Sequence, residues 1–113
     1  MKIEIQSNQK SNGVVTLAIQ GEVDTHTSPQ VLEQWKDLLK DNPSAVIINL
    51  SGVTYINSLG LSTLVEGMQA SQNNNTKFLL ASLSPMVKDV FAMAHLLTVF
   101  EIYDSTEDAL NAI

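Results

Sequence analysis

The stretch AVIINLSGVTYINSLGL, residues 45–61, decides the fold. Its first six residues, Ala45 to Leu50, are apolar at five positions and rich in β-branched side chains. A half-exposed strand alternates apolar with polar residues. A near-continuous apolar run instead marks a strand covered on both faces, the situation of a parallel sheet. That strand is expected to end near Leu50, with Ser51-Gly52 opening a loop. At the far end Leu61, Leu64, Val65 and Met68 recur at helical spacing. One strand therefore leads into one helix, and the loop between them delivers Asn57 and Ser58 to the helix start.

The same signals repeat on either side. Upstream, Ser28-Pro29 supplies an N-cap followed by proline at the first helical position, and Val31, Leu32, Trp35, Leu38 and Leu39 form one apolar face. Asp41-Asn42-Pro43 stops this helix. Before it, Ile3 and Ile5 alternate with polar residues, Asn12-Gly13 marks a turn, and Val14 to Gln20 is a β-rich run. These predict an antiparallel hairpin at one edge, followed by a polar loop from Gly21 to Thr27.

Downstream, Asn73–Asn75 ends the second helix and Lys77–Ala81 is another buried strand. Ser84-Pro85 opens a third helix through Met86, Val87, Val90, Phe91 and Ala94. Val99–Tyr103 is a last strand. Ser105 with Asp108 resembles a capping box before a short final helix carrying Leu110 and Ile113. The order β-β-α-β-α-β-α-β-α implies an α/β fold with right-handed crossovers and a mixed, mainly parallel sheet. With 113 residues and neither linker nor internal repeat, the chain is expected to be a single domain, 1–113.

Composition removes several function classes. The formal net charge is −6, with six lysines and no arginine. Without arginine the bidentate recognition of phosphate and guanine is missing, which speaks against nucleic-acid binding. An acidic surface is repelled by anionic membranes and suits a partner with basic patches. The absence of cysteine excludes disulfides, thiol catalysis and cysteine metal sites. No apolar segment follows Lys2 as a signal peptide would require, and no run approaches membrane-spanning length. The expectation is a soluble cytoplasmic protein.

Ser58 carries the functional question. As an N-cap it would accept a hydrogen bond from a free helical N–H, worth about 1 kcal/mol. Asn57 can fill that role equally, leaving Ser58 in the first turn. As a nucleophile Ser58 lacks the glycine two positions earlier that a nucleophile elbow needs, since Ile56 sits there. His26 and His95 are the only bases of the right type. His26 lies in the Gly21–Thr27 loop, and His95 is expected at a helix end. Two histidines and scattered carboxylates form no spaced metal-ligand set. A helix N-terminus suits a phosphate, but the glycine run and lysine of a P-loop are missing. As a regulated hydroxyl, Ser58 would place a phosphoryl group at the positive end of a helix dipole. If the second and third strands are parallel, Asp24 and Thr25 also come near Ser58 at the carboxyl end of the sheet, where α/β proteins bind their ligands. Asp24 can act as a partner contact or as the anchor of an Asx turn.

Two stretches carry a family resemblance. GEVDTHTSPQV, residues 21–31, resembles a G-E-[LV]-D-x-x-[ST] loop, and INLSGVTYINSLGL, residues 48–61, resembles the strand, loop and helix start that end in [DN]-S-x-G. Both are similar to STAS domains of the bacterial anti-sigma factor antagonist type, and residues 77–110 resemble that family's carboxyl-terminal half. The resemblance implies a STAS-type fold with four helices packed mainly on one face of the sheet. It implies that Ser58 is phosphorylated by a serine protein kinase that doubles as an anti-sigma factor, and that a PP2C-type phosphatase reverses this. On that basis Asp24, Thr25, Asn57, Ser58, Leu59 and Gly60 form the partner surface, and the domain is substrate and ligand, not an enzyme, without cofactor or metal. Asn57 stands where the family often has aspartate, and Leu59 stands where a small residue is common. Three rival expectations differ in mechanism. One is a subunit of a lipid-transport ATPase complex held by a constitutive partner. Another is a small enzyme using Ser58 and His26. The third is a nucleotide-binding module at the Asp24 and Ser58 loops.

Overall fold

The computed structural model describes residues 3–9 and 13–113, so the Lys10–Asn12 part of the expected hairpin turn lies outside the described residues. The elements are β1 (Ile3–Gln9), β2 (Val14–Val23), α1 (Ser28–Leu39), β3 (Ala45–Ile56), α2 (Ser58–Asn73), β4 (Lys77–Ala81), α3 (Pro85–Met93), β5 (Glu101–Tyr103) and α4 (Thr106–Asn111). They follow the order read from the sequence. The five strands form one sheet in the order β1-β2-β3-β4-β5, antiparallel between β1 and β2 and parallel across the other pairs.

Strand alternation divides the core into two layers. Val15, Leu17, Ile19, Val46, Ile48, Leu50, Phe78 and Leu80 point to one face and pack with Val31 and Trp35 of α1, Leu61 and Leu64 of α2, and Val87 and Phe91 of α3. Val14, Ala45, Ile47, Leu79 and Ala81 point the other way and meet Ala109 of α4. Three helices thus share one face and α4 takes the other, as the near-continuous apolar strands require. The main layer is tied by Trp35. Its Nε1 donates to the Gly67 carbonyl at 3.0 Å, and its ring lies 5.0 Å from that of Phe78.

Four boundaries differ from expectation. β3 does not end near Leu50 but runs to Ile56, and β2 extends to Val23. β4 pairs with β3 only as far as Asn49↔Ala81, so the second half of β3 is held by β2 alone, through a register with two irregularities. Thr54 and Tyr55 are exposed there, and their polarity disguises a strand as a loop. β5 starts at Glu101 because the Val99 N–H is turned back to the Leu96 carbonyl at 3.1 Å. Ser28 is not the cap of α1 but its first helical residue; Thr27 holds the N-cap position and makes no side-chain capping bond. Ser84 and Ser105 cap α3 and α4 as expected, accepting from the N–H groups of Val87 at 3.3 Å and Asp108 at 3.0 Å.

Candidate functional site

β2 and β3 end side by side, with Val23 paired to Ile56. Their carboxyl ends release two adjacent segments, the Asp24–Thr27 loop and the start of α2. The Asn57 N–H crosses between them to the Val23 carbonyl at 3.2 Å. Gly60 is the residue that permits this closeness. A Cβ at position 60 would lie 2.5 Å from the Val23 oxygen and 2.8 Å from Ile56 Cγ1. Gly60 is buried, so it shapes the surface rather than presenting a contact.

Asn57 caps α2. Its backbone is extended (φ −112°, ψ −174°), and its Oδ1 accepts from the Gly60 N–H at 3.0 Å. Ser58 is therefore not the cap. It is the first residue of α2, exposed, and its hydroxyl makes no hydrogen bond among the described residues. Leu59 beside it is 44% exposed. Thr63 turns its hydroxyl inward to the Leu59 carbonyl at 2.9 Å.

The neighbouring loop is folded around Asp24, which is only 4% exposed. Asp24 Oδ1 accepts from the N–H groups of His26 at 2.9 Å and Thr27 at 3.1 Å. The Thr27 hydroxyl accepts from the Asp24 N–H at 2.9 Å and donates to the Glu22 carbonyl at 2.6 Å, which is why it is not free to cap α1. Burial pushes the Asp24 carboxyl up. The Thr27 and His26 N–H groups, the Thr27 hydroxyl and the charge of His26 pull it down and prevail, leaving it below the ordinary carboxylate range. Asp24 Oδ2 and Ser28 Oγ are buried without a hydrogen-bond partner among the described residues. Of the two roles weighed for Asp24, the Asx-turn anchor is the one its geometry displays. Thr25 and His26 stand exposed on the loop it holds.

Two concavities flank the site. One, of about 380 Å³, is lined by Glu22, Asp24, Thr25, His26, Tyr55 and Asn57. The other, of about 450 Å³, runs along α2 from Ser58 to Gln69 and is walled by Ala94 and Leu96 after α3. Asp24, Thr25 and Asn57 are thus brought together, while Ser58 opens on the other side of the helix start. Ser58 and His26 line different concavities, and no hydrogen bond joins them among the described residues. His95 follows the end of α3, as expected, and is exposed. Sequence reasoning passed over Tyr55, 45% exposed, and Glu66, on the lip of the groove. For Tyr55 the available signal was an aromatic side chain next to Thr54 in the mixed stretch that follows Leu50.

Fold and site together define a small α/β domain that presents a hydroxyl at the carboxyl end of its sheet. The chain belongs to the STAS domain family, whose model matches residues 6–109. It is 28% identical over 102 residues to the anti-sigma-F factor antagonist RsfB of Mycobacterium tuberculosis, a match that covers 90% of this chain and 83% of RsfB. Among solved structures it superposes on an anti-sigma factor antagonist from Mycobacterium paratuberculosis with a TM-score of 0.89 and 25% identity, covering 99% of this chain and 94% of that one. The anti-sigma factor antagonist SpoIIAA shares the fold in its unphosphorylated form (TM-score 0.81, 19% identity, 96% of this chain and 95% of that one). The phosphorylated form of SpoIIAA from Bacillus does so as well (TM-score 0.73, 18% identity, 96% and 98%). No helix among the described residues is long and apolar enough to cross a membrane.

Proposed function

We propose that this protein is an anti-sigma factor antagonist working by partner switching in the cytoplasm. Unphosphorylated, it binds a serine protein kinase that is also an anti-sigma factor. Phosphorylation at Ser58 releases it, and a PP2C-type phosphatase restores it. The chain acts as ligand and substrate, not as enzyme, and needs no cofactor.

One observation carries this proposal. The Ser58 hydroxyl is exposed and idle because Asn57 supplies the helix cap. A kinase can modify that oxygen without removing a bond the fold depends on. The phosphoryl group would sit at the positive end of α2, which tolerates it, and would add about two negative charges to the surface. Exposed Thr25, Ser58 and Leu59 supply direct contacts. Asp24, Asn57 and Gly60 position them, Asp24 by folding its loop and Asn57 by starting the helix. The relatedness to RsfB supports the assignment of the partner class.

The test is incubation with the kinase of the native host and ATP, followed by mapping of phosphate by mass spectrometry, together with binding measurements. Ser58→Ala is expected to keep partner binding and Ser58→Asp to lose it. Phosphate found only at other residues, or equal binding by both variants, overturns the proposal.

A further inference from the structure

Another cleft, of about 360 Å³, lies at the opposite end of the sheet, where β4 and β5 begin. Its α2 wall is the last part of that helix, and Met68 stands about 15 Å along the helix from Ser58 at about 1.5 Å of rise per residue. Met68, Phe78 and Val99 give the cleft an apolar lining, and Val99 is 47% exposed. Lys77 and Glu101 are the only charged residues lining it, and their signs are opposite. Glu101 stands opposite Leu79 in the β4–β5 register, and Lys77 precedes Leu79 by one strand repeat. Their backbones are therefore about 7 Å apart along the strands and about 5 Å across them. That is close enough to pair, yet neither forms an ion pair among the described residues. The Tyr103 hydroxyl donates to Glu101 Oε2 at 3.2 Å, which steadies the carboxylate and leaves Oε1 unengaged among the described residues. Gln72 and Asn75 are exposed at the same cleft, and their side-chain amides make no hydrogen bond among the described residues.

We infer that this cleft binds a free α-amino acid with an apolar side chain. The ligand's carboxylate meets the Lys77 ammonium, and its ammonium meets the Glu101 carboxylate. Its side chain lies over Met68, Phe78 and Val99. Ligand clefts of this size combine an apolar lining with a few polar groups that fix orientation. Two charge-assisted hydrogen bonds of opposite sense are what a zwitterion satisfies. A simple anion would face Glu101, and a simple cation would face Lys77, so a ligand of one charge leaves a like charge beside it. A polar side chain on the ligand would lose water against the apolar lining without gaining a partner. The Gln72 and Asn75 amides supply neutral hydrogen bonds at the rim. This site is independent of the function proposed above, because Ser58 stands at the far end of α2 and takes no part in it.

The test is titration of the isotope-labelled full chain with L-leucine, L-methionine and L-phenylalanine, read from its backbone amide NMR shifts. At least one of the three is expected to shift the amides of residues 72–78 and 99–101 to saturation. The N-acetyl and the carboxamide forms of that amino acid each lack one charge, and glycine lacks the side chain. All three are expected to bind more weakly by about tenfold or more. Lys77→Gln and Glu101→Gln are expected to weaken the parent amino acid by a similar factor. Glu107→Gln, an equal change of charge on α4, is expected to stay within about twofold. Lys77, Glu101 and Glu107 are exposed, and melting curves confirm that each variant folds. The ligand series needs no variant and decides the question even if one fails to fold. No saturable shift with any of the three amino acids overturns the inference. So do saturable shifts confined to other residues, or equal binding by the N-acetyl or carboxamide form. Each of these results leaves the role of Ser58 standing, since no assay of the series involves the kinase.

Discussion

Asp24 and Asn57 do similar work, each using a side-chain oxygen to satisfy backbone N–H groups that a turn or a helix start leaves open. The energetic signatures differ, because only Asp24 titrates. Its carboxyl lies below the ordinary range in the folded chain, near 3.9 or so when unfolded. The stability it contributes is therefore complete above the unfolded value and lost as pH falls through the folded one. Asp24→Asn keeps an acceptor for the same N–H groups but removes the titration. Melting temperatures recorded from neutral pH down to acid should converge for the two proteins as Asp24 protonates, and curves that stay parallel would refute the assignment. At Asn57, alanine should cost about 1 kcal/mol of stability, whereas Ser58→Ala should lie within about 0.5 kcal/mol of the unmodified chain. Urea titration of the pair decides this, and the opposite order would return the cap to Ser58.

Gly60 joins two elements, and its substitution should be felt at that level. Alanine is the better helix former by about 1 kcal/mol, but its methyl would press on the Val23 carbonyl, a backbone atom that cannot swing away. Gly60→Ala should therefore be destabilising, by about 1–3 kcal/mol as for other overpacked sites, with the loss seen in the denaturation midpoint. At the end of α3 the opposite change should help. His95 adopts φ 60°, its N–H bonds to the Ala92 carbonyl, and the Leu96 N–H bonds to that of Phe91. This is the Schellman arrangement, in which glycine usually takes the left-handed position. His95→Gly relieves strain and should raise stability by about 0.5–1 kcal/mol, net of glycine's own entropy. Element order was legible because apolar spacing and the Ser-Pro starts are local. What was not legible depends on partners distant in sequence. Asn57 and Ser58 are both good caps, and the choice follows from where Gly60 meets Val23. Thr27 and Ser28 are equally good cap candidates in sequence, yet neither side chain caps α1, the Thr27 hydroxyl being held by the Glu22 carbonyl. β3 continues past Leu50 because β2 stays beside it, which no pattern within residues 51–56 announces.

Across the whole molecule, the charge added at Ser58 and the stability of the fold should be separable. The two core layers lie on opposite faces of the sheet, and Ser58 belongs to neither. A negative group at the first position of α2 interacts favourably with the helix dipole, by about 0.3–1 kcal/mol. Glu66, the carboxylate on the same groove, lies two turns away and is exposed, so its repulsion is screened by salt. Ser58→Asp should accordingly melt at the same temperature as the unmodified chain or slightly above it. Trp35 reports on this directly. It is the only tryptophan, 2% exposed, and anchored to α2 through the Gly67 carbonyl. Its emission should be unchanged in Ser58→Asp if α1 and α2 keep their packing. Unaltered emission and melting, combined with lost partner binding, place the switch on the surface. A drop of several degrees, or a red-shifted Trp35, would instead mean that negative charge at Ser58 acts by loosening the fold, and release by surface chemistry would have to be abandoned.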